Sequence, residues 1–168
     1  FIGISRRFGQ EGIGQYSVAI AVTGFAIVFS DFGLYPFTLK EVGRPAVAED
    51  RYGGIVWTRL LLSLLVFALI LLAVPFLPFD APLGQLIAVV GAIQVLAKLV
   101  EGMSAVFVAH EQTHLGASFE ATLKLVAAAT GIGAILAGLS LTAVLTLVAL
   151  ASAAVTAVVH IAMVSRYG

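Results

Sequence analysis

The stretch LLLSLLVFALILLAVPFLPF, residues 60–79, and the stretch LVAAATGIGAILAGLSLTAVLTLVALASAAVTAVV, residues 125–159, contain no charged side chain. The first stretch makes a helix of about 30 Å, which is the thickness of the hydrocarbon core of a bilayer. The second makes a helix of about 52 Å, which is too long for one crossing. We therefore predict that it folds back on itself at Gly138-Leu139-Ser140, where small, turn-permissive residues lie.

The composition of the whole chain is also that of a membrane protein. Hydrophobic residues make up 61% and charged residues 11% of the 168 residues, whereas soluble domains have roughly 45–50% and 25%. The 9 acidic and 9 basic side chains balance, which argues against nucleic-acid binding as the main function. The chain contains no cysteine, and this excludes disulfides and thiolate metal sites within it.

The hydrophobic pattern predicts an all-α fold, a polytopic transmembrane helix bundle, because backbone in hydrocarbon must satisfy its own hydrogen bonds. We predict five full spans, at about residues 13–40, 55–76, 83–109, 115–137 and 141–164. Residues 1–4 are apolar and precede Arg6-Arg7, the reverse of a signal peptide, so we interpret them as the end of a preceding span. The excess of Lys and Arg in the loop after the first full span places that loop in the cytoplasm.

Charged side chains inside a membrane are costly and are usually functional or paired. The candidates are Asp31 in the first full span, Arg59 at the start of the second, and two pairs at helical-neighbour spacing, Lys98 with Glu101 and Glu120 with Lys124. In a structural interpretation, each pair neutralises itself near the cytoplasmic end of its helix. In a functional interpretation, the charges line a polar cavity between helices, and Gln94 shares the face of Lys98 and Glu101.

Two further faces are predicted to meet protein. Small residues align with Glu120 and Lys124 along the fourth span, at Ala127, Gly131 and Ala134, and small residues let helices approach closely. On the fifth span, Thr142, Thr146, Thr156 and His160 share a face together with alanines. We expect interhelical hydrogen bonds from this face rather than a ligand site.

Residues 110–114 match the metalloprotease motif H-E-x-x-H. On a helix, His110 and His114 would bind zinc from one face, with Glu111 as the general base. A catalytic zinc needs a third protein ligand, and no Asp or Glu follows Glu120. We therefore predict a polar interfacial turn without a metal, and keep an intramembrane zinc metalloprotease as an alternative of another class. The chain has no glycine-rich phosphate loop, and we expect no cofactor.

A family resemblance lies in the first part of the chain. The segments RFGQEGIGQY (residues 7–16), SDFGL (residues 30–34) and KEV (residues 40–42) resemble the polysaccharide-export family, the O-antigen-type lipid-linked oligosaccharide flippases. In that family an Arg-x-x-Gly-x-x-Gly-x-Tyr-like stretch links the first two spans, and a D-x-G-L segment ends the second. Arg59 matches the basic residue that opens the third span. Residues 109–114 depart from the pattern, because family members usually carry several arginines there.

The resemblance implies that the chain is most of the N-terminal lobe of a two-lobed transporter without enzymatic activity. Such a transporter flips a polyprenyl-phosphate-linked oligosaccharide from the cytoplasmic to the outer leaflet of a bacterial or archaeal plasma membrane by alternating access. The implied partners are the lipid-linked oligosaccharide, membrane lipid, a coupling proton or sodium ion, and the missing C-terminal lobe.

The charged residues suit these roles in different ways. Arg59, Lys98 and Lys124 are the cations available for an anionic pyrophosphate headgroup. Asp31, Glu101 and Glu120 are the carboxylates available to bind a coupling ion. The alternatives are a multidrug-extrusion-type antiporter of the same superfamily, whose cavity should be net acidic, and a non-catalytic membrane scaffold subunit.

Overall fold

Long apolar runs, broken by proline, glycine and short polar segments, fold into five helices. The computed structural model describes residues 2–31, 51–76, 79–109 and 111–167. The helices are α1 (Ile2–Asp31), α2 (Arg51–Ala73), α3 (Ala81–Ala109), α4 (Thr113–Leu136) and α5 (Leu141–Tyr167). A single 3-10 turn, Val74–Phe76, extends α2, and no strand occurs in the described ranges. The fold is the predicted all-α helical membrane bundle.

Four of these helices are long and apolar enough to cross a bilayer. The crossing segments are Trp57–Phe76, Ala81–Ala105, Thr113–Leu136 and Leu141–Ser165, and they coincide with the second to fifth predicted spans. The first predicted span, residues 13–40, is helical as far as Asp31, and the rest of it lies outside the described residues.

The outward surface of the bundle is apolar, as a lipid-facing surface must be. On α2, Leu61, Leu65 and Leu72 are more than half exposed, and so are Leu125 on α4 and Leu150 on α5. A water-soluble protein rarely exposes so much contiguous apolar surface. The exposed leucines therefore support the same conclusion as the lengths of the helices.

Helix α3 is the centre of the bundle. It packs against each of the other four helices, while α1 also packs on α2, and α4 on α5. One apolar cluster, around Val100, Phe107 and Val159, joins α3 to α4 and α5. A second cluster, around Ala19 and Ile87, joins α1, α2, α3 and the start of α5 at the other end of the bundle. In lipid, the energy of such clusters comes from close packing rather than from removal of water.

The predicted reversal at residues 138–140 is confirmed, and its hydrogen bonds explain it. Gly138 has a φ of +79°, a conformation that favours glycine. The Leu139 amide donates to the Ala134 carbonyl at 3.2 Å, and the Gly138 amide donates to the Ile135 carbonyl at 3.0 Å. This pair of bonds is the Schellman motif that ends many helices. Helix α4 therefore stops here because of local backbone chemistry.

The same turn starts the next helix and receives a cation. The Ser140 hydroxyl accepts a hydrogen bond from the Ala143 amide at 3.4 Å, which caps α5. The Arg7 guanidinium donates to the Gly138 carbonyl at 3.5 Å, at the negative end of the α4 dipole. Arg7 and the reversal thus lie at one end of the bundle, as the predicted alternation of spans requires.

Helix α1 is two helical segments joined at Gly9. This residue has φ 67° and ψ −164°, which are not helical values, and this region of backbone space is essentially restricted to glycine. Residues 2–8 therefore leave the axis of residues 10–31. The interpretation of residues 1–4 as the end of a preceding span remains a prediction.

Replacing Gly9 by alanine should destabilise the protein by roughly 1–3 kcal/mol, because the side chain forbids the required backbone conformation. Gly14→Ala is the matched control. Neither glycine has another atom within 4 Å of the position of a Cβ, but Gly14 is helical. The comparison is made by thermal unfolding of the purified protein in detergent. An equal change in both variants would contradict a special conformation at Gly9.

Replacing Gly138 by alanine should cost about 1–2 kcal/mol, because alanine disfavours a positive φ. Gly133→Ala is the control, since Gly133 lies within α4 with nothing within 4 Å of an added Cβ. Alanine is the better helix former by about 1 kcal/mol, so the two substitutions should shift the unfolding midpoint in opposite directions. A lower midpoint for Gly133→Ala alone would show that the reversal does not depend on Gly138.

Candidate functional site

A polar contact joins α1 to α3 in the middle of the apolar bundle. Thr23 is fully buried, and its hydroxyl donates to the Ala19 carbonyl at 2.7 Å. The Gln94 amide donates in turn to the Thr23 hydroxyl oxygen at 2.5 Å. Polar contacts between helices hold membrane bundles together because the alternative is an unsatisfied group in hydrocarbon. Gln94 therefore stabilises the packing of α1 on α3. It lies on the same face of α3 as Lys98.

Gly91 makes this three-helix contact possible. A Cβ at this position would lie 2.9 Å from the Phe67 ring on α2 and 3.3 Å from the methyl group of Thr23 on α1. Both distances are shorter than an unstrained carbon contact. Helices α1 and α2 can therefore approach α3 this closely only because residue 91 has no side chain.

Lys98 and Glu101 follow Gln94 along α3 and form an ion pair. The lysine nitrogen lies 2.7 Å from a carboxylate oxygen, and the two side chains are 30% and 35% exposed. Their spacing of three residues places both on one helix face. The expectation that this pair neutralises itself is confirmed.

Arg59 is buried, with only 6% of its surface exposed. It packs against Gly102 of α3, where a Cβ would lie 2.7 Å from the guanidinium Nη1 and 2.9 Å from the arginine Cδ. The buried arginine therefore reaches α3 directly after Glu101. Sequence reasoning identified Arg59 but missed Gly102. The only sign of Gly102 in the sequence was a glycine inside a predicted helix, where glycine lowers helix stability by about 1 kcal/mol relative to alanine.

Asp31 is the last residue of α1. Its side chain lies outside the described part of the structure, so its relation to Arg59, Lys98 and Glu101 stays a prediction.

The second predicted pair does not form. Glu120 is half-buried and Lys124 is exposed, and within the described residues neither joins the other in an ion pair. The two side chains differ in burial although their four-residue spacing places both on one side of α4. The expected position near a helix end is also wrong for Lys124, which lies halfway between Thr113 and Leu136.

The two faces that were predicted to meet protein have different outcomes. On α4, Ala134 is buried, and a Cβ on Gly131 would lie 3.5 Å from Val148 of α5, so this stripe packs as expected. On α5, the hydroxyls of Thr146 and Thr156 each donate at 2.8 Å to a carbonyl one turn earlier in their own helix. The expected interhelical bonds are therefore wrong for these two threonines. A threonine hydroxyl in a helix always has that carbonyl within reach.

The H-E-x-x-H motif does not lie on one helix. Helix α3 ends at Ala109 and α4 begins at Thr113, and Glu111 between them has a φ of 60°. The Gln112 amide donates to the Phe107 carbonyl at 2.9 Å, which closes the turn. The predicted turn is confirmed. The motif therefore lacks the helical spacing that presents both imidazoles on one face.

The zinc hypothesis also depends on the positions of the histidines and on a group of at least three possible ligands. His114 is exposed in the first turn of α4, and His110 lies outside the described residues. In the described ranges, no three His, Cys, Asp or Glu side chains are grouped so that they could hold a metal ion.

Known proteins give no closer guide to function. No family model matches this chain, and no curated protein or solved structure matches it either. The membrane bundle and its internal charges therefore carry the functional argument.

Replacing Gly102 by alanine should destabilise the protein by about 1–3 kcal/mol, because the methyl group would displace the buried Arg59 side chain. Gly131→Ala is the control, since its Cβ would make an ordinary 3.5 Å contact. The measurement is thermal unfolding in detergent. If the clash with Arg59 is the cause, the penalty disappears in an Arg59→Ala background. The same penalty in both backgrounds would contradict this assignment.

Proposed function

We propose that this chain is part of the N-terminal lobe of a transporter that flips a polyprenyl-phosphate-linked oligosaccharide from the cytoplasmic to the outer leaflet. The observation that carries the proposal is that Arg59, Lys98 and Glu101 lie within two neighbouring candidate spans, with Arg59 packed against Gly102, the residue after Glu101. Arg59 and Lys98 supply cationic side chains. An anionic phosphate headgroup in a low-dielectric interior needs such compensation.

Within this site, the degree of exposure suggests different roles for the two cations. Lys98 is about one-third exposed, so it is the cation that an entering headgroup meets first. Arg59 is buried and packs against Gly102, which lies one helical turn after Lys98 on α3. Lys124 lies on α4, whereas Arg59 lies on α2 and Lys98 lies on α3, and we leave Lys124 out of this headgroup site.

Glu101 is the coupling residue that fits this arrangement best. Its carboxylate is paired with Lys98 at 2.7 Å. A phosphate bound to Lys98 competes for the same ammonium group, and the carboxylate that it displaces is then available for a proton or a sodium ion. Asp31 and Glu120 remain candidates from the sequence for the same role.

The alternatives fit these residues less well. A multidrug-extrusion-type antiporter carries cationic substrates and should have a net acidic cavity, whereas the Glu101 carboxylate is paired with Lys98. An intramembrane zinc metalloprotease needs His110 and His114 on one helical face, whereas Glu111 interrupts the helix. A non-catalytic scaffold subunit is the outcome if no transport is found.

The test is flipping of a fluorescent polyprenyl-diphosphate-linked oligosaccharide by the full-length protein in proteoliposomes. We expect Lys98→Gln and Arg59→Gln each to lower the initial rate by about tenfold or more, because a hydrogen bond to a charged group contributes about 1.5–3 kcal/mol. Arg6→Gln is the matched control and should leave the rate unchanged. Arg6 is an exposed cation near the start of α1.

Two variants separate transport from folding. Arg59→Lys keeps the charge, and Lys98→Gln changes a partly exposed side chain, so both should unfold at nearly the parent temperature. Parent-like flipping by Lys98→Gln and Arg59→Gln would refute the proposed site. Export of cationic drugs without flipping of the lipid-linked sugar would favour the antiporter.

A further inference from the structure

Lys124 carries its charge at the centre of a membrane span. It comes eleven residues after Thr113 and twelve before Leu136, the two ends of both α4 and its apolar span. At 1.5 Å per residue, the nearer end is roughly 16 Å away, beyond the reach of a lysine side chain. A lysine at this depth costs about 2.5–3.5 kcal/mol if it faces lipid. The exposed side of α4 at Lys124 is therefore unsuited to lipid.

The described residues of this chain do not neutralise the charge. Glu120 is one turn away but forms no ion pair with Lys124, and it is half-buried while Lys124 is exposed. Even a pair formed by a change of rotamer would leave two ions facing hydrocarbon, where desolvation opposes them. The compensating group must therefore come from outside the described bundle.

The surface around Lys124 has the shape of a helix-packing face. Ala117, Ala121 and Ala128 are exposed and lie with Lys124 at spacings of four, three and four residues. This is the spacing of a heptad seam, and alanines allow a second backbone to come close. Among the four candidate spans in the described residues, α4 is the least covered, with 11% of its apolar window buried against 22–33% in the others.

We propose that a transmembrane helix bearing an aspartate or glutamate packs along Ala117, Ala121, Lys124 and Ala128, with its carboxylate opposite Lys124. The occupant is a helix with an acid rather than a second copy of this chain through α4. Two copies with the same orientation in the membrane would place Lys124 against Lys124, and like charges repel. This surface lies outside the proposed headgroup site, and the inference holds whatever the chain transports.

The neighbouring alanines of α4 offer a matched pair of probes. Ala128 and Ala129 are both exposed and lie at nearly the same depth, but they point about 100° apart around the helix. A photo-crosslinking benzophenone amino acid is placed at one or the other position in the full-length protein in its native membrane. We expect position 128 to crosslink to a peptide of a transmembrane helix with Asp or Glu at the depth of Lys124. Position 129 should crosslink to lipid.

Charge variants test the lysine itself. Lys124→Glu should lower the peptide crosslink from position 128 by about tenfold or more, whereas Lys124→Arg should keep it, because only the first reverses the charge. Lipid adducts at position 128, or a crosslinked helix without an acid, would overturn the proposal. Labelling of an Ala128→Cys variant by a membrane-impermeant thiol reagent would overturn it too, since it would show a water-filled cavity at this face.

Discussion

Close approach of helices to α3 is the constraint on which the rest of the structure depends. Three positions with little or no side chain allow it: Gly91 against Phe67, Gly102 against Arg59, and Ser104 against Gly116. In the last contact, the Ser104 hydroxyl also donates to the Gly116 carbonyl at 3.3 Å. Because lipid is as apolar as the helix surfaces, close packing and a few hydrogen bonds supply the energy that burial of apolar area supplies in water. A side chain on Gly91 would clash with Phe67 and Thr23, and one on Gly102 would displace the buried Arg59 side chain.

The bundle accommodates membrane charge in three physically different ways. Lys98 and Glu101 neutralise each other on one turn of α3. Arg59 is buried in the interior of the bundle and packs against Gly102. Lys124 is exposed at mid-span, and its cost requires something beyond this bundle. The first two arrangements form the proposed headgroup site, and the third indicates a surface for another helix.

A short sequence motif predicted the structure correctly where the interactions that it depends on join residues a few positions apart. The Gly138-Leu139-Ser140 reversal follows from a Schellman motif and a serine cap, which involve residues only a few positions apart. The H-E-x-x-H motif is different, because its meaning depends on a continuous helix. That helix is interrupted at Glu111, although none of the five residues of the motif is glycine or proline.

The sequence by itself determined the all-α membrane class, four apolar spans and the position of the last reversal. These follow from the length of uncharged runs and from backbone chemistry, which act along the chain. It also identified Lys98 and Glu101 as a pair, because three-residue spacing on a helix brings them together. Only the tertiary structure decided that α3 is central, that Arg59 is buried against Gly102, and that Lys124 remains exposed. Those outcomes depend on which face each helix turns towards its neighbours, and that choice is made by packing between residues far apart in sequence.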